Sequence, residues 1–122
     1  MNVDMKTSVQ NTPLVCNMDV FTPAERENHI QTTTQLFQIV QAIHEAENGL
    51  EFMFPNFDKQ EDLLQLAEFI FNERRCCPFL EFRLRIAPDM PISLLLTGPE
   101  GTQEFLRAEF TEYRSSGNEA FE

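Results

Sequence analysis

Two stretches of strict alternation constrain this chain's fold more than anything else in it. In one, Leu50, Phe52 and Phe54 alternate with Glu51 and Met53; in the other, Leu80, Phe82, Leu84 and Ile86 alternate with Glu81, Arg83 and Arg85. A period of two sends successive side chains to opposite faces of a strand, so each stretch offers a sheet a single apolar face. Each also has a neighbour to pair with. Asn48-Gly49 is a strong two-residue hairpin signal, and Val40, Ala42, His44 and Ala46 alternate ahead of it, so residues 35–47 read as strand. After the second stretch, Pro88-Asp89-Met90-Pro91 reads as a loop and Ile92, Leu94 and Leu96 as a fourth strand.

Three helix starts flank these hairpins. Thr22-Pro23-Ala24-Glu25 is a capping box with proline at the first helical position. Asp58-Lys59-Gln60-Glu61 and Thr97-Gly98-Pro99-Glu100 repeat the spacing. The first helix is expected from Pro23 to about Thr33, with a thin apolar face. The second runs from Lys59 to about Arg75, on a stripe of Leu63, Leu66, Ala67 and Ile70, and Pro78 forces its end. The third carries Phe105, Leu106, Phe110 and Tyr113 on its apolar side.

The order α-β-β-α-β-β-α predicts an α+β fold of two layers, a four-stranded antiparallel sheet with helices on one face. The length of 122 residues fits one domain, expected over 14–115, with poorly ordered ends at 1–13 and 116–122. The uncovered sheet face would carry Glu51, Met53, Arg83, Arg85, Ser93 and Leu95. That face is either solvated or the contact of a homodimer, with Met53, Arg83, Arg85 and Leu95 as its interaction residues.

The net charge of −11 argues against nucleic acid as a partner and against anionic membrane surfaces. No apolar run reaches the length of a membrane span, and the first residues lack the basic end and apolar centre of a signal peptide. A cytoplasmic protein is therefore expected. Four of the nine basic residues, Arg74, Arg75, Arg83 and Arg85, cluster around two of the three cysteines, in the stretch ERRCCPF.

Cys76 and Cys77 are adjacent, so their Cα atoms lie about 3.8 Å apart, closer than a relaxed disulfide allows. An odd cysteine count in a reducing compartment also argues against a disulfide framework. At a helix C-terminus the dipole disfavours a thiolate, whereas Arg74 or Arg75 would favour one and tune the thiols. Zinc sites space their cysteines two to four residues apart, which this stretch does not do; ions that accept two or three thiolates match it better. Cys16, ahead of the first helix, is placed to supply a third sulfur. Of the two histidines, His29 and His44, the latter reads as a core or surface residue of a strand rather than a ligand. The competing reading is that free cysteines are small buried hydrophobes packing a helix-to-strand corner.

ERRCCPFLEFRL followed by LLLTGPEGTQEFL resembles a family of small uncharacterised bacterial proteins that pair an E-R-R-C-C-x-F-L segment with a later T-G-P-x-G segment. The resemblance covers roughly residues 14–107 and extends to a cysteine before the first helix, here Cys16. It carries no established activity, but it implies that Cys16, Cys76 and Cys77 form a set. The TGPEG stretch itself reads as turn and cap, since Glu100 would repel an anion and the lysine of a phosphate loop is missing.

Two functions stay open on this reading. One is a thiol-bearing domain that binds a soft or heavy metal ion, or does thiol redox chemistry, through Cys16, Cys76 and Cys77. The other is a non-catalytic self-association or protein-interaction domain in which the cysteines only pack. No Ser/His/Asp arrangement, close histidine pair or cofactor loop points to an enzyme, and beyond a soft metal ion no cofactor is implied.

Overall fold

The computed structural model describes residues 14–115. The two ends expected to be poorly ordered, 1–13 and 116–122, lie outside the described residues. After a 3-10 turn over Met18–Val20 come α1 (Pro23–Gln38), β1 (Ala42–Ala46), β2 (Gly49–Phe54), α2 (Gln60–Cys76), β3 (Glu81–Arg85), β4 (Ile92–Thr97) and α3 (Thr102–Ser115). The strands form one antiparallel sheet in the order β1-β2-β4-β3. The fold is α+β, as the alternation predicts.

Register decides what each face carries. Leu50, Phe52 and Phe54 pair with Leu96, Leu94 and Ile92, and all six are buried. Phe37 of α1 sits over this face, stacked on Phe110 at 4.5 Å and edge-on to Phe52 at 4.9 Å and Phe69 at 5.7 Å. With no tryptophan in the chain, these phenylalanines supply the large aromatic burial of the core. On the other face, Glu51, Met53 and Leu95 are half-buried, Arg83 and Arg85 exposed.

Four local expectations are corrected. α1 does not stop near Thr33: it continues to Gln38, and residues 35–38 are helix rather than strand. His29, Thr32, Thr33, Leu36 and Phe37 fall on one helical face and are buried, so core packing of Leu36 and Phe37 overrides the β-branched residues that follow. The hairpin turn is Glu47-Asn48, not Asn48-Gly49, because Ala46 pairs with Gly49 and only Asn48 takes positive φ. The Asp58 box does not form; α2 begins one residue later than that spacing needs, with Lys59 as a cap lacking a side-chain hydrogen bond. Thr97 does not cap α3, since it still belongs to β4, paired with Gly49 and Glu81. Instead the chain turns through Pro99 to Gly101 (φ +99°), and Thr102 Oγ1 donates to the Pro99 carbonyl at 2.6 Å.

The Thr22 box forms in full: Thr22 Oγ1 accepts from the Glu25 amide, and Glu25 accepts from the Thr22 amide. β3, within the most regular alternation in the sequence, is an edge strand ending at Arg85, and Leu84 and the following Ile86 are exposed rather than on a buried face.

Candidate metal and thiol centre

α2 ends at Cys76, with Cys77 as its cap and the Cys77 amide donating to the Glu73 carbonyl at 2.9 Å. Pro78 follows and cannot extend the helix. Glu73, Cys76 and Cys77 stand at i, i+3 and i+4, so one face of the last helical turn presents a carboxylate and two sulfurs together. All three are buried, at 3%, 1% and 0% exposure.

Cys16 arrives from the other side. The Asn17 amide donates to the Cys76 carbonyl at 2.7 Å, docking the N-terminal segment on the end of α2. Asn17 then caps the 3-10 turn by accepting from the Asp19 amide. Cys16 is thereby brought to Cys77 and bonded to it as a disulfide, with Cα atoms 4.5 Å apart. This corrects the expectation that a disulfide would be absent. The argument against an adjacent-cysteine bond does not apply to a partner 61 residues away, and the odd cysteine is accounted for by Cys76, which stays free.

The three sulfurs and a Glu73 oxygen lie within 4.8 Å of one another, a donor set and spacing that could hold a metal ion. Cys76 Sγ is 3.6 Å from Cys77 Sγ, and Glu73 Oε2 is 3.3 Å from Cys77 Sγ. Glu73 Oε1 meets Nε2 of His29 at 2.8 Å, and both side chains are 3% exposed. The His29 ring stacks on Phe69 and tilts against Phe21, and its Nδ1 is buried without a hydrogen-bond partner among the described residues.

Arg75 makes its contacts with the 3-10 turn, α1 and its own helix. Arg75 donates to the Val20 carbonyl and to Asn72, pairs with Glu25 at 3.6 Å and lies over the Phe21 ring at 4.8 Å. It ties the 3-10 turn and the start of α1 to the end of α2, and so positions the segment that carries Cys16. Arg74 is exposed. Burial first, then the charges of Glu73 and Glu109, push the Cys76 thiol from 9.0 up to about 12.

That shift has a pH signature. The folded chain keeps a proton on Cys76 that the unfolded chain loses, so this stability is full below about pH 9 and falls as pH rises toward 12. The slope is at most about 1.4 kcal/mol per pH unit. Urea unfolding at about pH 8 and about pH 10.5 is expected to show a steeper alkaline loss in the native chain than in Cys76→Ala. Equal slopes would contradict the assignment. Cys76 is likewise expected to resist iodoacetamide until the chain unfolds.

Of the remaining predicted residues, Met53 pairs with Ser93 in register with Arg85, and Leu95 lies between Glu51 and Arg83. All of these sit on the face away from the sulfurs' core contacts. Arg83 donates to Glu81 at 3.2 Å. His44 is exposed on β1, 3.5 Å from Glu51. Two members of the centre escaped sequence reasoning. Glu73 was legible in the E-x-x-C-C spacing, which sets it on the cysteines' face; His29 was legible only once α1 is extended to Leu36, seven residues on along the same face. No protein-family model, curated protein or solved structure matches the chain. The resemblance drawn from the double-cysteine segment therefore stands on its motif residues alone.

Proposed function

We propose that the chain is a binding domain for a soft metal ion, with Cys16, Cys76 and Cys77 as thiol ligands in the reduced state and the Cys16–Cys77 disulfide as the closed state. What carries the reading is the convergence of sulfurs from two separate segments, with a buried carboxylate, on one point. A corner packed only for burial has no need of Glu73, which is costly to bury and is held there by His29. Opening the site takes two electrons and two protons, turning the disulfide into two thiols. In a reducing compartment, such as the cytoplasm, the thiol form prevails.

The test is anaerobic titration with mercuric ion, followed by thiolate-to-metal charge-transfer absorbance and by thiol protection from alkylation. The reduced chain is expected to bind one ion and to shield its thiols, while the oxidised chain binds weakly or not at all. Cys16→Ser is expected to bind at least about tenfold more weakly. Equal binding by oxidised and reduced chains, or by Cys16→Ser and the native chain, would sink the proposal.

A further inference from the structure

Resting on the reading above, we infer that the reduced centre is built for a trivalent thiophile of the arsenous or antimonous acid class, held by all three sulfurs as an electrically neutral tris-thiolate. A divalent ion on three thiolates leaves a net negative charge, and a carboxylate ligand from Glu73 adds another. The site offers little to offset that. Cys76 and Cys77 are buried; Arg75 is engaged with Val20, Asn72 and Glu25; Arg74 is exposed. His29 already faces Glu73. Uncompensated charge in such surroundings costs several kcal/mol by general estimates.

A trivalent hydroxide avoids the cost. Three thiols react with As(OH)3 so that three As–O bonds break and three As–S bonds form. Each thiol proton leaves on a hydroxide as water, the oxidation state is unchanged, and no charge is created. The product needs three ligands, matching the three sulfurs, so Glu73 keeps its contact with His29. Glu73 also lies 3.3 Å from Cys77 Sγ and 3.8 Å from Cys76 Sγ, where it can pass protons from the thiols to the departing hydroxides.

The experiment treats the fully reduced chain, in weak buffer without oxygen, with sodium arsenite brought beforehand to the working pH, where it is arsenous acid, and separately with mercuric ion. Adducts and remaining thiols are counted by mass spectrometry, and proton release is followed by pH-stat. The expected result with arsenite is one arsenic per chain, all three thiols consumed and no net proton released, whereas mercuric ion releases protons. Cys16→Ser, compared in the reduced state where neither chain has the disulfide, is expected to lose at least about tenfold in arsenite affinity. Mercury binding without arsenite binding would overturn this inference and leave the metal-site reading standing. Failure of both would remove both.

Discussion

Replacing Cys16 with serine is expected to lower the stability of the oxidised chain by about 4 kcal/mol. The Cys16–Cys77 bond closes a loop of sequence separation 61 that contains α1, the first hairpin and α2. Cross-linking so long a loop removes a large part of the unfolded chain's conformational freedom. For a chain of this size the loss corresponds to a fall in Tm on the order of 15 °C. Reductant should produce nearly the same fall in the native chain and little further change in Cys16→Ser. A native chain whose unfolding ignores reductant would contradict the disulfide. The Asn17–Cys76 backbone bond and the Arg75 clamp do not depend on sulfur, so the segment should stay docked when the bond opens. The proposed alternation between disulfide and ligand binding requires that docking.

Glu73→Ala is expected to cost about 1–3 kcal/mol, because it strands a buried histidine. His29 is 2% exposed, and its one hydrogen-bonded nitrogen faces Glu73. Without that partner both ring nitrogens are buried and unsatisfied. The double variant Glu73→Leu with His29→Phe should regain most of the loss, since two apolar groups of similar shape leave nothing unpaired. Chemical unfolding of the two single variants and the double gives the coupling. Additive losses, or a cost for Glu73→Ala under about 1 kcal/mol, would contradict a dedicated pair. Removing the carboxylate should also bring the Cys76 thiol down from about 12, since Glu73 helps to raise it.

The buried face of two strands was legible because its information is local. Alternation in Leu50–Phe54 and Ile92–Leu96 names that face directly, whereas their pairing with each other joins segments distant in sequence. The capping boxes were less informative. The spacing at Thr22, Asp58 and Thr97 is alike, but only Thr22 sits where a helix begins one residue later. Thr97 is claimed by β4 and Asp58 by a start out of register, and neither competition is visible in four residues. The end of α1 was misread for a related reason: Leu36 and Phe37 are helical because the core beneath them is filled by Phe52 and Phe110, which are distant in sequence.

The centre divides the same way. Cys76, Cys77 and Glu73 belong to one helical turn and can be read from spacing. Cys16 was placed by its position before the first helix and by a resemblance, not by any local rule. The bond it makes depends on the docking of Asn17 and the reach of Arg75 across 55 residues to Val20, which no window of sequence contains. Arg75 itself was read as a neighbour of the thiols, whereas its length carries its charge to Glu25 and Phe21.

The most direct test of a single three-cysteine centre is to map the cysteines of the air-oxidised chain. Differential alkylation before and after reduction, followed by fragment-ion mass spectrometry, separates Cys76 from Cys77. The account predicts Cys16 linked to Cys77, with Cys76 free and unlabelled until the chain is unfolded. A Cys76–Cys77 bond, or a Cys16 that labels as fast as an unstructured thiol in the oxidised chain, would contradict it.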